Sequence, residues 1–128
     1  MNYQLSPYHR HFLFPTWIRR IRARKIIRLA NQARDARQWS LATENFHEAL
    51  KQVPHRYDLW VQYGHALKES GLIIDAELSY RIALHGNPEC ADTYLQLGHV
   101  LKLQNRLAEA KAAYQEASRL DPNLSKNI

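Results

Sequence analysis

Residues 58–88 read DLWVQYGHALKESGLIIDAELSYRIALHGNP, and the spacing of large and small side chains within this stretch decides the fold. Its pattern recurs at one fixed interval on both sides. Ile26, Trp60 and Tyr94 fall in one column, followed by Leu29, Tyr63 and Leu97, then by the small residues Ala30, Gly64 and Gly98, then by Ala33, Leu67 and Leu101. Further along, Trp39, Ile73 and Leu107 align, as do Ala42, Ala76 and Ala110. Phe46, Tyr80 and Tyr114 share a column, and so do Ala49, Ala83 and Ala117, and Pro54, Pro88 and Pro122. A fixed period of this length, held without insertion, is the signature of stacked supersecondary units.

The apolar positions inside each unit follow helical spacing. Gly64 and Gly98 lie within helical patterns, where Gly costs about 1 kcal/mol relative to Ala. A bulky ring from the facing helix, Tyr80 or Tyr114, would offset that cost by close packing. Ala76 and Ala110 let successive hairpins approach. Gly71 suits the turn inside a hairpin. In Gly86-Asn87-Pro88 the proline ends a helix and the glycine is expected to take a left-handed cap, with Asp121-Pro122-Asn123 ending the last one. The spacing predicts helices near 23–37, 40–52, 57–70, 73–85, 91–104 and 107–120.

These columns resemble the tetratricopeptide repeat, whose 34-residue pattern places a bulky residue, Leu-Gly, Tyr, Ala, Phe, Ala and Pro in this order. The resemblance covers residues 23–124, as repeats 23–56, 57–90 and 91–124, with an N-terminal extension at 1–22 and a tail at 125–128. The first repeat departs from the pattern, with Ile26 in place of Trp and Ala30 in place of Gly, but keeps Ala42, Phe46, Ala49 and Pro54. The fold the resemblance implies is all-α, a right-handed solenoid of three helix-turn-helix hairpins with a basic helical extension at its N-terminus.

Composition agrees with one helical domain. The chain has 128 residues, 45% of them apolar, with four glycines and five prolines. The single Cys90 excludes an internal disulfide and fits a reducing compartment. No run of 18 apolar residues exists, and the N-terminal apolar stretch precedes its arginines instead of following them, so a secretory signal is not expected. The reading is cytoplasmic, or peripheral to a membrane.

The net charge of +6 is concentrated at one end. Residues 1–34 hold eight Lys and Arg and no acid, whereas the remainder holds ten bases and twelve acids. Residues 1–14 show no period and read as an arm. Pro15 can open a helix that runs from about 16 to 37. Trp17, Ile18 and Ile21 lie there among Arg19, Arg20, Arg22, Arg24 and Lys25, and three readings stay open. The segment can lie on anionic lipid, contact phosphates of nucleic acid, or extend the first helix backwards to cover the end of the solenoid. Nucleic acid fits worst, because only Trp17 is interleaved for stacking.

No phosphate loop, paired Cys, HExxH or nucleophile elbow is present, and neither enzyme chemistry, a cofactor nor a bound metal is expected. What remains is a ladder on the first helix of each repeat. The resemblance implies that the column of Asn31, His65 and His99 faces a concave groove. Arg34, Lys68 and Lys102 follow three residues later, and Ile27, Val61 and Leu95 precede by one turn, so the three columns share a face. An apolar, then Asn/His, then basic ladder suits a peptide segment with acidic and apolar groups. Solvated helix surface is the bland alternative for the basic column.

Some members of the resembled family clamp a C-terminal carboxylate. Asn31 matches one clamp position, but Ile27, Gln62, Asp92 and Gln96 would fall at the others without the required charge, which argues against that use. The expected function is a protein-interaction module holding a partner's peptide in the groove. Two alternatives stand beside it. Leu97-Gly98-His99 with Leu101-Lys102 is similar to repeats found ahead of bacterial glycosyltransferase domains, which would make the chain a regulatory or substrate-presenting part of a larger enzyme. The uncapped third repeat, with Leu107 and Tyr114 uncovered, would allow self-association or continuation into a longer chain.

Overall fold

A computed structural model of the chain describes residues 14–127, and the predicted arm lies almost wholly outside them. Six α-helices follow in order: α1 Thr16–Asp35, α2 Trp39–Gln52, α3 Tyr57–Glu69, α4 Ile73–Gly86, α5 Ala91–Leu103 and α6 Leu107–Leu120, with a short 3-10 segment at Pro122–Asn127. There is no strand among the described residues. The fold is an all-α repeat of antiparallel helix pairs, as expected. α1 runs unbroken through the predicted boundary between extension and first repeat.

Two compact units divide at His55 and Arg56. In the first, α1 and α2 form one hairpin around Ala23, Ala30, Ala33, Ala42, Phe46 and Ala49, all buried. In the second, α3 pairs with α4, α5 with α6, and α5 seats on α4. The core of this unit gathers Leu67, Ala76, Tyr80, Leu97, Val100 and Leu101. The repeat columns thus become layers: the ring of Tyr80 is wholly buried, and a Cβ placed on Gly64 would stand 2.6 Å from its Cε1. A Cβ on Gly98 would collide in the same way with the Tyr114 ring.

Each hairpin turns with the same device. Arg37, Gly71 and Asn105 hold the same place in successive repeats and have φ of 56°, 82° and 59°. In all three the amide of that residue donates to the carbonyl three residues back, and the next amide reaches five back: Gln38 to Ala33 at 2.8 Å, Leu72 to Leu67 at 2.9 Å, Arg106 to Leu101 at 3.0 Å. This is the Schellman closure, in which a left-handed residue turns the chain and satisfies orphan carbonyls. The helices end one or two residues before the predicted limits because Ala36, Ser70 and Gln104 are the caps. Sequence alone points to Gly71; Arg37 and Asn105 do the same work in the flanking repeats. Gly71→Ala should cost about 1 kcal/mol, since the left-handed conformation is strained for any residue with a Cβ. Urea denaturation measures it, and an unchanged midpoint would contradict the assignment.

Gly86 corrects an expectation. It is the last residue of α4 and is not left-handed; Asn87, with φ −136°, is the cap. Glycine is required for space instead, because a Cβ there would fall within the ring of Tyr57.

A buried acid ties the second and third repeats together. Glu77, 8% exposed, receives Arg81 Nε at 2.9 Å, Gln104 Nε2 at 2.7 Å and Arg106 Nη1 at 2.7 Å. Arg106 also forks onto Glu109 at 2.6 and 2.9 Å. Ser79 Oγ donates to the Trp60 carbonyl at 2.6 Å, pinning α4 to α3.

Candidate functional site

In the second unit Lys68 Nζ on α3 donates to Gln96 Oε1 on α5 at 3.0 Å, and residues of both helices line one concavity. Val61, His65 and Lys68 on α3 and Leu95, His99 and Lys102 on α5 are the predicted site residues of this unit. All are partly buried except Lys102, which is exposed. Half-burial of this kind leaves part of each side chain open to a ligand while the scaffold fixes its direction.

The histidines are built into the hairpins differently from one another. His65 Nδ1 shares a hydrogen bond with the Tyr80 hydroxyl at 2.8 Å, and the rings meet edge to face with centroids 5.5 Å apart. Burial pushes the Tyr80 hydroxyl's pKa up, with the charges of Asp92 and Glu69 adding to it, so the phenol keeps its proton. His99 meets Tyr114 in the same edge-to-face geometry, at 5.6 Å. Burial lowers the His99 pKa from 6.5, and the positive charges of Lys68 and Lys102 lower it further, against an upward pull from Asp92. His99 is therefore neutral at pH 7 and offers one donor and one acceptor.

That depression has a sign for stability. The unfolded chain binds the proton first as pH falls, so the contribution of neutral His99 is full above pH 6.5 and is lost as pH falls through its lower folded midpoint. An NMR titration should place the His99 midpoint below 6.5, and Lys102→Ala should raise it. A midpoint that ignores the lysine would refute the electrostatic coupling.

At the amino-terminal end of the same two helices, a concavity of ≈ 260 Å³ is lined by Tyr57, Asp58, Val61, Gln62, Ala83, Asn87, Cys90, Asp92 and Thr93. Only Val61 among these is a site residue predicted from sequence. Asp58 is paired with Arg56 at 2.7 and 2.9 Å, and that hydrogen bond holds its carboxyl below the usual range. The face thus carries Asp92 and the Arg56-paired Asp58 at one end, and Lys68 and Lys102 at the other. The acids share a repeat column, so their pairing was available in the sequence; in the first repeat Arg24 takes that column.

In the first unit, Ile27 and Asn31 are half-buried, and Asn31 Oδ1 accepts from Arg34 Nη1 at 3.1 Å. Arg34 is also bridged to Asp35 at 3.0 Å. These residues hold the same register on α1 as Val61, His65 and Lys68 on α3. Nearer the start of α1, Arg20, Arg24 and Lys25 are exposed, Arg22 stacks over the Phe14 ring at 4.3 Å, and Arg19 is half-buried with its Nε unpartnered. Trp17 is 63% and Ile21 56% exposed. The extension is the first helix carried backwards, in line with one of the three readings, but these two side chains are not covered.

Among the described residues no cluster of His, Cys, Asp and Glu is arranged to hold a metal ion. None of their helices is long and apolar enough to cross a membrane.

Residues 91–124, the third repeat, match the family model described as tetratricopeptide repeat. No curated protein is similar enough in sequence to count as a relative. Among solved structures, the Arabidopsis OM64 TPR domain superposes with a TM-score of 0.75 at 23% identity, covering 78% of this chain and 83% of that one. The first TPR of Spaghetti (RPAP3) bound to the HSP90 peptide SRMEEVD gives 0.75 at 20% identity over 79% and 80% of the two chains. The TPR2B domain of yeast Sti1 in a pHsp70 complex gives 0.75 at 15%, over 83% and 85%. At these identities the likeness is one of fold: the chain has the all-α helix-pair fold of these tetratricopeptide-repeat domains, and its residues 91–124 match the tetratricopeptide repeat itself.

Proposed function

We propose that the chain is a protein-interaction module and that the α3–α5 face holds an extended peptide segment of a partner. The observation that carries this reading is the polarity of that face. Asp58 and Asp92 lie at one end, with an apolar recess beside Val61, and Lys68 and Lys102 lie at the other, with neutral His99 between. A segment fits it with an apolar side chain in the recess, backbone groups on His99 and an acidic side chain toward the lysines. Ile27, Asn31 and Arg34 offer the corresponding groups on α1.

The similar structures that carry chaperone peptides make such a use of the fold concrete for those proteins. This chain has Ile27, Gln62, Asp92 and Gln96 at the companion positions of the resembled carboxylate clamp, and none keeps the clamp's charge, so a free C-terminal carboxylate is not the preferred ligand. An internal acidic–apolar segment is.

A titration with a labelled extended peptide of alternating Leu and Glu tests the reading. Lys102→Ala with His99→Ala should weaken binding about tenfold, the loss of roughly one charge-assisted contact. Unchanged affinity with unchanged helicity would reject the assignment.

A second reading concerns α1. Trp17, Ile21, Arg20, Arg24, Lys25 and Arg28 fall on one side of a helix that carries no acid before Asp35, and all are exposed. This supports contact with an anionic lipid surface, the aromatic and apolar groups entering the interface and the bases facing headgroups. Sedimentation with phosphatidylserine vesicles should fall sharply in Trp17→Ala with Ile21→Ala and with rising salt; equal sedimentation with neutral vesicles would contradict it.

A further inference from the structure

Lys68 and Lys102 stand on different helices and share one neighbour. Lys68 Nζ crosses from α3 to Gln96 on α5 at 3.0 Å. His99 follows Gln96 by three residues, the spacing that puts two side chains on one helical face, and Lys102 follows His99 by the same interval. The charges of both lysines act on the His99 imidazole. An anionic group that reaches both ammonium groups therefore lies beside that ring.

The other surroundings of the ring bring little charge. On its own helix Asp92 pulls against the lysines, the weakest of the influences on His99. From α6 the Tyr114 ring meets it edge to face at 5.6 Å, and burial pushes that phenol's pKa up, so it stays neutral. From α4, the Tyr80 hydroxyl is engaged with His65 at 2.8 Å. Glu77 of the same helix meets α5 at Gln104, five residues beyond His99 and so about 140° round the helix. His99 itself is half-buried, which leaves part of the ring open to a ligand.

We propose, on the reading of this face as a peptide site, that seating the partner's acidic side chain between Lys68 and Lys102 draws a proton onto His99, so that the face grips its segment more tightly as pH falls below neutral. In the free chain, protonation would gather three positive charges. A carboxylate placed there offsets the two lysines and accepts a charge-assisted hydrogen bond from the imidazolium. Its attraction favours the charged ring, so the His99 midpoint is higher in the complex than in the free protein. Proton uptake and tighter binding are then reciprocal: a ligand that raises the midpoint binds better wherever the proton is held. A rise of about one pH unit corresponds to about a tenfold gain in affinity. A ligand glutamate keeps its own charge over this range, since its unperturbed pKa is about 4.3.

The probe is the extended peptide of alternating Leu and Glu, with a Leu/Gln peptide of the same length as its uncharged control. The His99 ring resonances of the full chain, titrated by NMR with and without saturating Leu/Glu peptide, should show a midpoint about one unit higher in the complex. The Leu/Gln peptide should leave the midpoint where the free protein has it. Calorimetry in two buffers of different ionisation enthalpy should count protons taken up on binding, and affinity should be about tenfold tighter near pH 5.5 than near pH 8. His99→Gln should flatten that pH dependence, with circular dichroism at each pH showing the helices intact. Leu/Glu peptide bound with the His99 midpoint unmoved or lowered, or a pH dependence that survives His99→Gln, would overturn the coupling and leave the peptide site standing. Absence of binding at every pH would overturn both.

Discussion

Gly64→Ala is expected to destabilise the protein by about 1 kcal/mol net, overpacking of about 2 kcal/mol outweighing the better helix propensity of alanine. The added Cβ would stand 2.6 Å from Tyr80 Cε1, 2.9 Å from Cδ1 and 3.0 Å from Cζ. The ring cannot withdraw: it is wholly buried and its hydroxyl is held by His65 Nδ1 at 2.8 Å. Overpacking of this kind costs about 1–3 kcal/mol, against which the helical preference for Ala over Gly returns about 1 kcal/mol. The decisive version is a double-mutant cycle. In a Tyr80→Leu background, itself destabilised by a cavity, the clash disappears and Gly64→Ala should become stabilising by about 1 kcal/mol. Urea denaturation of the four proteins measures the coupling. A Gly64→Ala effect of the same sign in both backgrounds would mean that ring and glycine do not oppose one another.

Removing the Glu77 carboxylate is the second large effect. Glu77→Ala should cost about 2 kcal/mol, because Gln104 and Arg106 would lose their shared acceptor inside the repeat interface. Glu77 is 8% exposed by area yet lies few atoms from the surface, so water screens its pairs and the cost falls short of a deeply buried ion pair. Burial acts to raise its pKa, but the hydrogen bonds from Gln104 and Arg81 and the charges of Arg81 and Arg106 outweigh it, and the net direction is down from 4.5. The unfolded chain therefore takes up the proton first as pH falls. The stabilisation is complete above pH 4.5 and is lost as pH falls through the lower folded midpoint. Stability curves of the protein and Glu77→Gln should run apart at neutral pH and converge in acid. Parallel curves across that range would show that the carboxylate's charge contributes nothing.

The architecture was legible because a repeat states each packing requirement three times. A single Gly64 in a helical pattern is ambiguous; Gly64 paired with Tyr80 and Gly98 paired with Tyr114, at identical spacing, are not. The same redundancy placed all six helices within a few residues, the longest being α1, which the absence of Pro and Gly after Pro15 foretold. What escaped was whatever differs between repeats. Arg37 and Asn105 occupy the left-handed position that only Gly71 advertised, since the turn is imposed by two backbone hydrogen bonds that any residue can make at some cost. Gly86 invites a capping role from its place before Asn87-Pro88, but its reason lies in the ring of Tyr57, at the far end of the preceding helix. For the candidate site, the ladder of His and Lys was visible, but the recess beside Val61 depends on Tyr57, Ala83 and Asn87, which come together only when α3, α4 and α5 pack. That His65 is tied to Tyr80 follows from packing, not spacing.

The central claim, that the α3–α5 face is the peptide-binding surface, is tested most directly by amide chemical-shift mapping of the labelled protein during titration with the Leu/Glu peptide. Perturbations concentrated at Val61, His65, Lys68, Leu95, His99 and Lys102, with α4 and α6 outer positions such as Ile74 and Ala112 unmoved, are the predicted result. Shifts confined to the outer surfaces of α4 and α6, or saturation with the α3–α5 face silent, would contradict it.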